Sequence, residues 1–133
     1  MDKLFVYGSL MYEEVWGHLV KGKFDRVQAE LEGFKRVNIT GETYPAIRKE
    51  KGSKVEGILI AGLNSNHFRL LDKFEGKLYK RETVTVLIQL QRECKCEVYL
   101  FKNKYRHLLS NSDWCPRNFH EKHLRRFLSS YTS

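Results

Sequence analysis

Two short stretches, far apart in the chain, carry residue types that could do chemistry. The first is "VYGSL" at 6–10, where an apolar run ends in Gly8 and Ser9. Glycine lets backbone N–H groups come close to a ligand, serine adds a hydroxyl, and a helix starting just downstream favours negative charge. A carboxylate or an oxyanion could sit there. The same residues would equally make a plain strand-to-helix corner, and the stretch alone does not choose between the two. A polyphosphate cradle is not implied, because the second glycine and the lysine of such loops are missing.

The second stretch is "LLDKFEGKLYKRE" at 70–82, which places Glu75 between Phe74 and Gly76 at the end of a helical pattern. A carboxyl at the rim of an apolar cavity acquires a raised pKa and can exchange protons near neutral pH, as a general base and acid must. Lys73, Lys77, Lys80 and Arg81 are close in sequence, and any that approached the carboxyl would pull its pKa down. A solvated surface glutamate is the plain alternative.

Other reactive side chains lack such a context. Cys94, Cys96 and Cys115 are odd in number, and the N-terminus has no secretory pattern, which predicts reduced thiols and a cytoplasmic location. Cys94 and Cys96 would share a strand face, but one intervening residue is too few for a zinc knuckle, and Cys115, His120 and His123 complete no usual ligand spacing. No serine has a nucleophile-elbow context. Neither metal nor cofactor is expected.

The elements that would position these residues follow from periodicity. "KLFVY" at 3–7 reads as a strand, and Tyr12 to Val20 as a short helix with Glu13 and Glu14 in its first turn. Residues 25–39 alternate around Gly33 as one bent strand or two short ones. Pro45 predicts an edge or loop over 40–47, Lys51 to Ser53 a turn, and "VEGILIAGL" at 55–63 a strand buried on both faces. A helix over 66–74, capped by Ser65 and ended by Gly76, presents Phe68, Leu71 and Phe74, with Leu70 widening the stripe. Residues 79–90 and 96–101 read as a hairpin. Asn118 would cap a final helix with Phe119, His123, Leu124, Phe127, Leu128 and Tyr131 on one face. The class is α+β: a small mixed, mostly antiparallel, barrel-like sheet with two or three short helices.

Composition bounds the rest. The 133 residues are 41% hydrophobic and 13% aromatic, enough for a core in a single domain over 1–133, and no apolar run approaches the roughly 20 residues of a membrane span. The formal charge of +8 would suit an anionic partner. The basic residues are nevertheless spread out, with "KHLRR" at 122–126 the nearest to a cluster and no basic block interleaved with stacking aromatics, which argues against nucleic acid.

Taken in order, "LFVYGSLM", "GETYPAI", "VEGILIAGL", "LLDKFEGKLYKRETVTV" and the ending from Trp114 to Leu128 resemble the γ-glutamylcyclotransferase-like family, in particular its γ-glutamylamine cyclotransferase branch. The resemblance covers nearly the whole chain. It implies a barrel-like α+β domain with one cavity and a small-molecule γ-glutamyl substrate, converted to 5-oxoproline without a cofactor. By that resemblance Tyr7, Gly8, Ser9 and Leu10 form the binding loop and Glu75 is the general base and acid. Tyr44, Tyr79, Arg81 and Tyr99 are implied as cavity residues, and the region 102–116 as the reader of the leaving group. A hydrolase of γ-glutamyl amides on the same cavity and a non-catalytic basic binding module are the alternatives, and the oligomeric state is not indicated.

Overall fold

Strand-forming Leu4, Phe5 and Val6 build β1 (Lys3–Val6) in the computed structural model of the protein, which describes the backbone of residues 2–132 and the side chains of residues 2–129. A 3-10 turn (Ser9–Met11) leads into α1 (Glu13–Leu19), whose two leading glutamates sit at the positive end of the helix dipole. The long strands β2 (Asp25–Ile39) and β3 (Pro45–Ala61) precede α2 (Ser65–Glu75). The hairpin β4 (Tyr79–Ile88) and β5 (Arg92–Phe101) is followed by β6 (Leu109–Asp113). A helical run closes the chain as α3 (Pro116–Asn118), a π turn (Phe119–His123) and α4 (Leu124–Thr132).

The sheet runs β3-β1-β5-β4-β2 and closes because β2 pairs back with β3, leaving β6 attached to β2. The β1–β5 pair is parallel and the other pairs are antiparallel, which gives the mixed barrel that the strand pattern implied. Side-chain alternation then makes two cores. Phe5, Tyr7, Leu31, Val55, Leu59, Val86 and Val98 fill the inside of the barrel. Leu4, Val6 and Ile60 face outward and are covered by Trp16 of α1, Phe68 and Leu71 of α2, and Phe119 and Phe127 of the final helical run. Leu59 and Ile60 are thus adjacent yet both buried, in different cores, which is why β3 reads as a continuous apolar run.

Several local expectations need correction. Of the edge or loop read over 40–47, the stretch from Pro45 is strand: Pro45 opens β3 and pairs with Asn38 of β2, which suits proline because a first strand residue need not donate to the ladder. Gly52, with φ at 87°, does not end a strand. It sits in a bulge opposite Gly33, where the β2–β3 register jumps between Glu32 and Phe34, and Ser53 donates to Glu50 across it at 2.7 Å. The cap of α2 is Asn64, not Ser65: its side chain accepts from the His67 amide at 3.0 Å while the His67 ring accepts from the Asn64 amide. Leu70 is 48% exposed and widens no buried stripe.

At the C-terminal end, Cys115 and not Asn118 caps the helical run, its sulfur accepting from the Asn118 amide. The side chain of Tyr131 lies outside the described residues. Cys96 is sealed in the barrel, where burial pushes its thiol up to about 12, whereas Cys115 is exposed. Among the described residues no helix is long and apolar enough to cross a membrane.

Candidate active site

A cavity opens where β1 ends, between the barrel and helices α2 and α4, with about 540 Å³ of empty space including the solvent at its mouth. Tyr7, Gly8, Ser9 and Leu10 form one wall. Tyr79 and Tyr99 come from the β4–β5 hairpin, and Tyr44, Phe74 and Phe127 complete an aromatic side. Glu75, the last residue of α2, projects a carboxyl into this space, where it is the single charged side chain among the described lining residues.

The placement of Glu75 is local before it is tertiary. The Asn64–His67 box sets where α2 begins, and Gly76 sets where it ends, because φ 75° with ψ −160° is a conformation that side-chain-bearing residues rarely adopt. As a residue Glu75 is only half-buried, yet its carboxyl is enclosed deeply enough that desolvation alone pushes its pKa up to about 8. Its position at the negative end of the α2 dipole acts in the same direction. The basic neighbours do not counter this. Lys80 pairs with Glu82 at 3.1 Å, Arg81 pairs with Asp72 at 3.5 Å, and Lys73 and Lys77 are exposed.

The glycine-serine loop is held from behind. Arg36 on β2 donates to the Tyr7 carbonyl at 2.7 Å and the Glu56 carbonyl at 3.2 Å, and its guanidinium lies 5.4 Å from the Trp114 ring centre. In a trans peptide the C=O and the next N–H point in opposite directions, so this bond turns the Gly8 N–H away from Arg36, which stands outside the cavity lining. The amides of Ser9 and Leu10 open a 3-10 turn and have no carbonyl within it. Ser9 itself is 7% exposed. Gly8 has no room for a side chain, since a Cβ there would lie 2.8 Å from the Pro45 ring. Donors therefore line one wall and a carboxyl another.

The tyrosines serve as walls more than as proton donors. Tyr7 OH donates to the Tyr99 carbonyl at 2.6 Å, Tyr79 OH to the Pro45 carbonyl at 2.7 Å, and Tyr99 OH to Asp72 at 2.7 Å. All three phenols are raised in pKa, first by burial and, among smaller effects, by the nearby Glu75 charge.

Arg81 is the sequence-derived candidate that the structure leaves outside the lining. Its side chain stacks on Phe68 and reaches Asp72, so it touches the cavity only through Tyr99. In return the structure brings Pro45, Phe74 and Phe127 into the lining and sets Arg36 behind the loop, residues which the sequence offered as strand, turn or core. Phe127 recurs on the apolar face of its helix, and nothing in that pattern separates a core position from a cavity wall.

Comparisons with known proteins agree with this architecture. The family model described as "Gamma-glutamyl cyclotransferase, AIG2-like" matches residues 4–116. AIG2-like protein C of Arabidopsis thaliana is 38% identical over 102 residues, covering 76% of this chain and 59% of that protein. AIG2-like protein D of the same plant is 40% identical over 88 residues, covering 66% of this chain and 58% of its own length. The chain thus spans under two thirds of these relatives. Among solved structures, a solution structure of an Arabidopsis thaliana protein has a TM-score of 0.74 at 26% identity, covering 98% of this chain and 87% of that one. A structure named gamma-glutamyl cyclotransferase has a TM-score of 0.68 at 21% identity, covering 97% and 85%, and at that identity it speaks to the fold alone.

Proposed function

Since the chain belongs to the gamma-glutamyl cyclotransferase, AIG2-like family, we propose that it is a cofactor-independent cyclotransferase releasing 5-oxoproline from γ-glutamyl amines or amides, with Glu75 as general base and acid. The observation that carries this reading is that the Glu75 carboxyl, which burial pushes up to about 8, and a loop of backbone donors line one small cavity.

The chemistry needs little else. The substrate's α-nitrogen reaches its own γ-carbonyl and closes a five-membered lactam, but as an ammonium ion it has no lone pair to attack with. The Glu75 carboxylate takes a proton from it. The N–C bond forms, the amide C–N bond breaks, and the carboxyl returns a proton to the departing nitrogen. Over the turnover the α-nitrogen passes from NH3+ to a lactam N–H and the leaving nitrogen from N–H to NH3+. Two protons are moved, no water is consumed, and Glu75 ends as it began. The Gly8, Ser9 and Leu10 amides hold an oxygen of the glutamyl head group, and the tyrosine walls keep its flexible chain folded toward attack.

The test is incubation with a panel of γ-glutamyl amides and chromatography of the products. Formation of 5-oxoproline by the wild type, lowered about 10²–10⁴-fold in Glu75→Gln, is the expected result. Free glutamate in its place would make the protein a hydrolase, and no product from any amide would remove the enzymatic reading.

A further inference from the structure

We infer that the leaving portion of the substrate is an aromatic or bulky apolar amine, an inference that rests on the cyclotransferase reading. Apart from the tyrosines, the polar side chains among the described lining residues are Ser9 and Glu75. The Glu75 carboxyl, the Ser9 hydroxyl and the loop amides suffice for one glutamyl head group, whose own amine, carboxylate and γ-carbonyl occupy them.

The other side of the cavity is Tyr44, Phe74 and Phe127, linked edge to face: Phe127 lies 6.3 Å from Tyr44 and 6.1 Å from Phe74 between ring centres, with interplanar angles of 67° and 75°. Phe74 and Glu75 line the same cavity, so a leaving nitrogen within reach of the carboxyl starts its substituent in the space that this cluster also borders. Tyr44 and Phe74 are half-buried and Phe127 is 7% exposed, so a substituent passing outward lies along ring surface. Among the described lining residues no second charged side chain is available to a leaving portion that carries its own carboxylate or ammonium. Desolvating such a charge against rings is unfavourable, whereas an apolar substituent gains from the same burial.

The experiment compares γ-glutamyl benzylamide, γ-glutamyl methylamide, Nε-(γ-glutamyl)lysine and γ-glutamylglutamate by 5-oxoproline release. Affinities are measured in parallel by calorimetry on the Glu75→Gln protein. The benzylamide is expected to exceed the two charged substrates by at least about tenfold in kcat/KM and the methylamide by a similar factor. That ratio to the methylamide falls toward unity in Tyr44→Ala, and in Phe74→Leu should the alanine variant misfold. If 5-oxoproline forms but the lysine or glutamate conjugate is preferred, or all four are equal, the inference is overturned while the cyclotransferase reading stands. If no 5-oxoproline forms but Glu75→Gln binds the benzylamide about tenfold tighter than the methylamide, the cyclotransferase reading fails and the aromatic subsite stands. Neither turnover nor selective binding overturns both.

Discussion

Glu75 carries a pKa of about 8 where an unfolded chain would have 4.5, and desolvation is the cause. That shift appears twice in solution behaviour. In activity, only the ionised carboxyl accepts a proton, so kcat/KM rises about tenfold per pH unit up to about pH 8 and then levels, a limb absent in Glu75→Gln. In stability, the folded state binds the extra proton between pH 4.5 and about 8. Stability is therefore fullest below the lower value and falls as pH rises through the upper one. Glu75→Gln removes that slope and is more stable than wild type at pH 8 by on the order of 2–4 kcal/mol, measured by urea unfolding at pH 5 and pH 8. A wild type whose stability rose with pH across this window would contradict a desolvated carboxyl.

Elements set the distance between the two halves of the site. The 3-10 turn after β1 is pressed against Pro45 at the start of β3, and Gly8 is the residue that permits the contact. Gly8→Ala puts a methyl 2.8 Å from the proline ring, so the loop moves and KM for a γ-glutamyl amide rises about tenfold or more. The same variant loses about 1–3 kcal/mol in thermal or urea unfolding. Arg36 acts on the loop from the other side, through the Tyr7 carbonyl. Arg36→Met frees that peptide, and the expected outcome is a raised KM with the pH limb of Glu75 unmoved, since the carboxyl is on another element. These element placements were largely legible: β1, the helix before Gly76 and the β4–β5 hairpin follow from apolar periodicity and glycine. The bulge at Gly52 and the Cys115 cap were not, because a local turn signature is silent on whether pairing resumes beyond it.

At the scale of the whole molecule, barrel closure joins β1, where the donor loop begins, to the long β2–β3 pair that holds Arg36 and Pro45. Gly57 of β3 lies tight against the end of β1: a Cβ there would lie 2.3 Å from the Val6 carbonyl oxygen and 2.8 Å from the Phe5 ring. Backbone cannot yield as a side chain can. Gly57→Ala is expected to cost about 3 kcal/mol or more in urea unfolding and to lower activity through the displaced end of β1. An alanine variant as stable as wild type would mean that the two strands separate freely, and the loop geometry would then not depend on closure.

The order of motifs, the strand and helix periods and the glycines at element ends are properties of the chain itself, and they sufficed for the family, the α+β barrel and the pairing of "VYGSL" with Glu75. Tertiary structure alone decided three things. It buried the Glu75 carboxyl away from water, took Arg81 out of the cavity to Asp72, and committed the hydroxyls of Tyr7, Tyr79 and Tyr99 to partners 92, 34 and 27 residues away. The reason is physical. Periodicity reports which face of an element is apolar, while a pKa or a hydroxyl's partner depends on groups that come near only when distant segments pack.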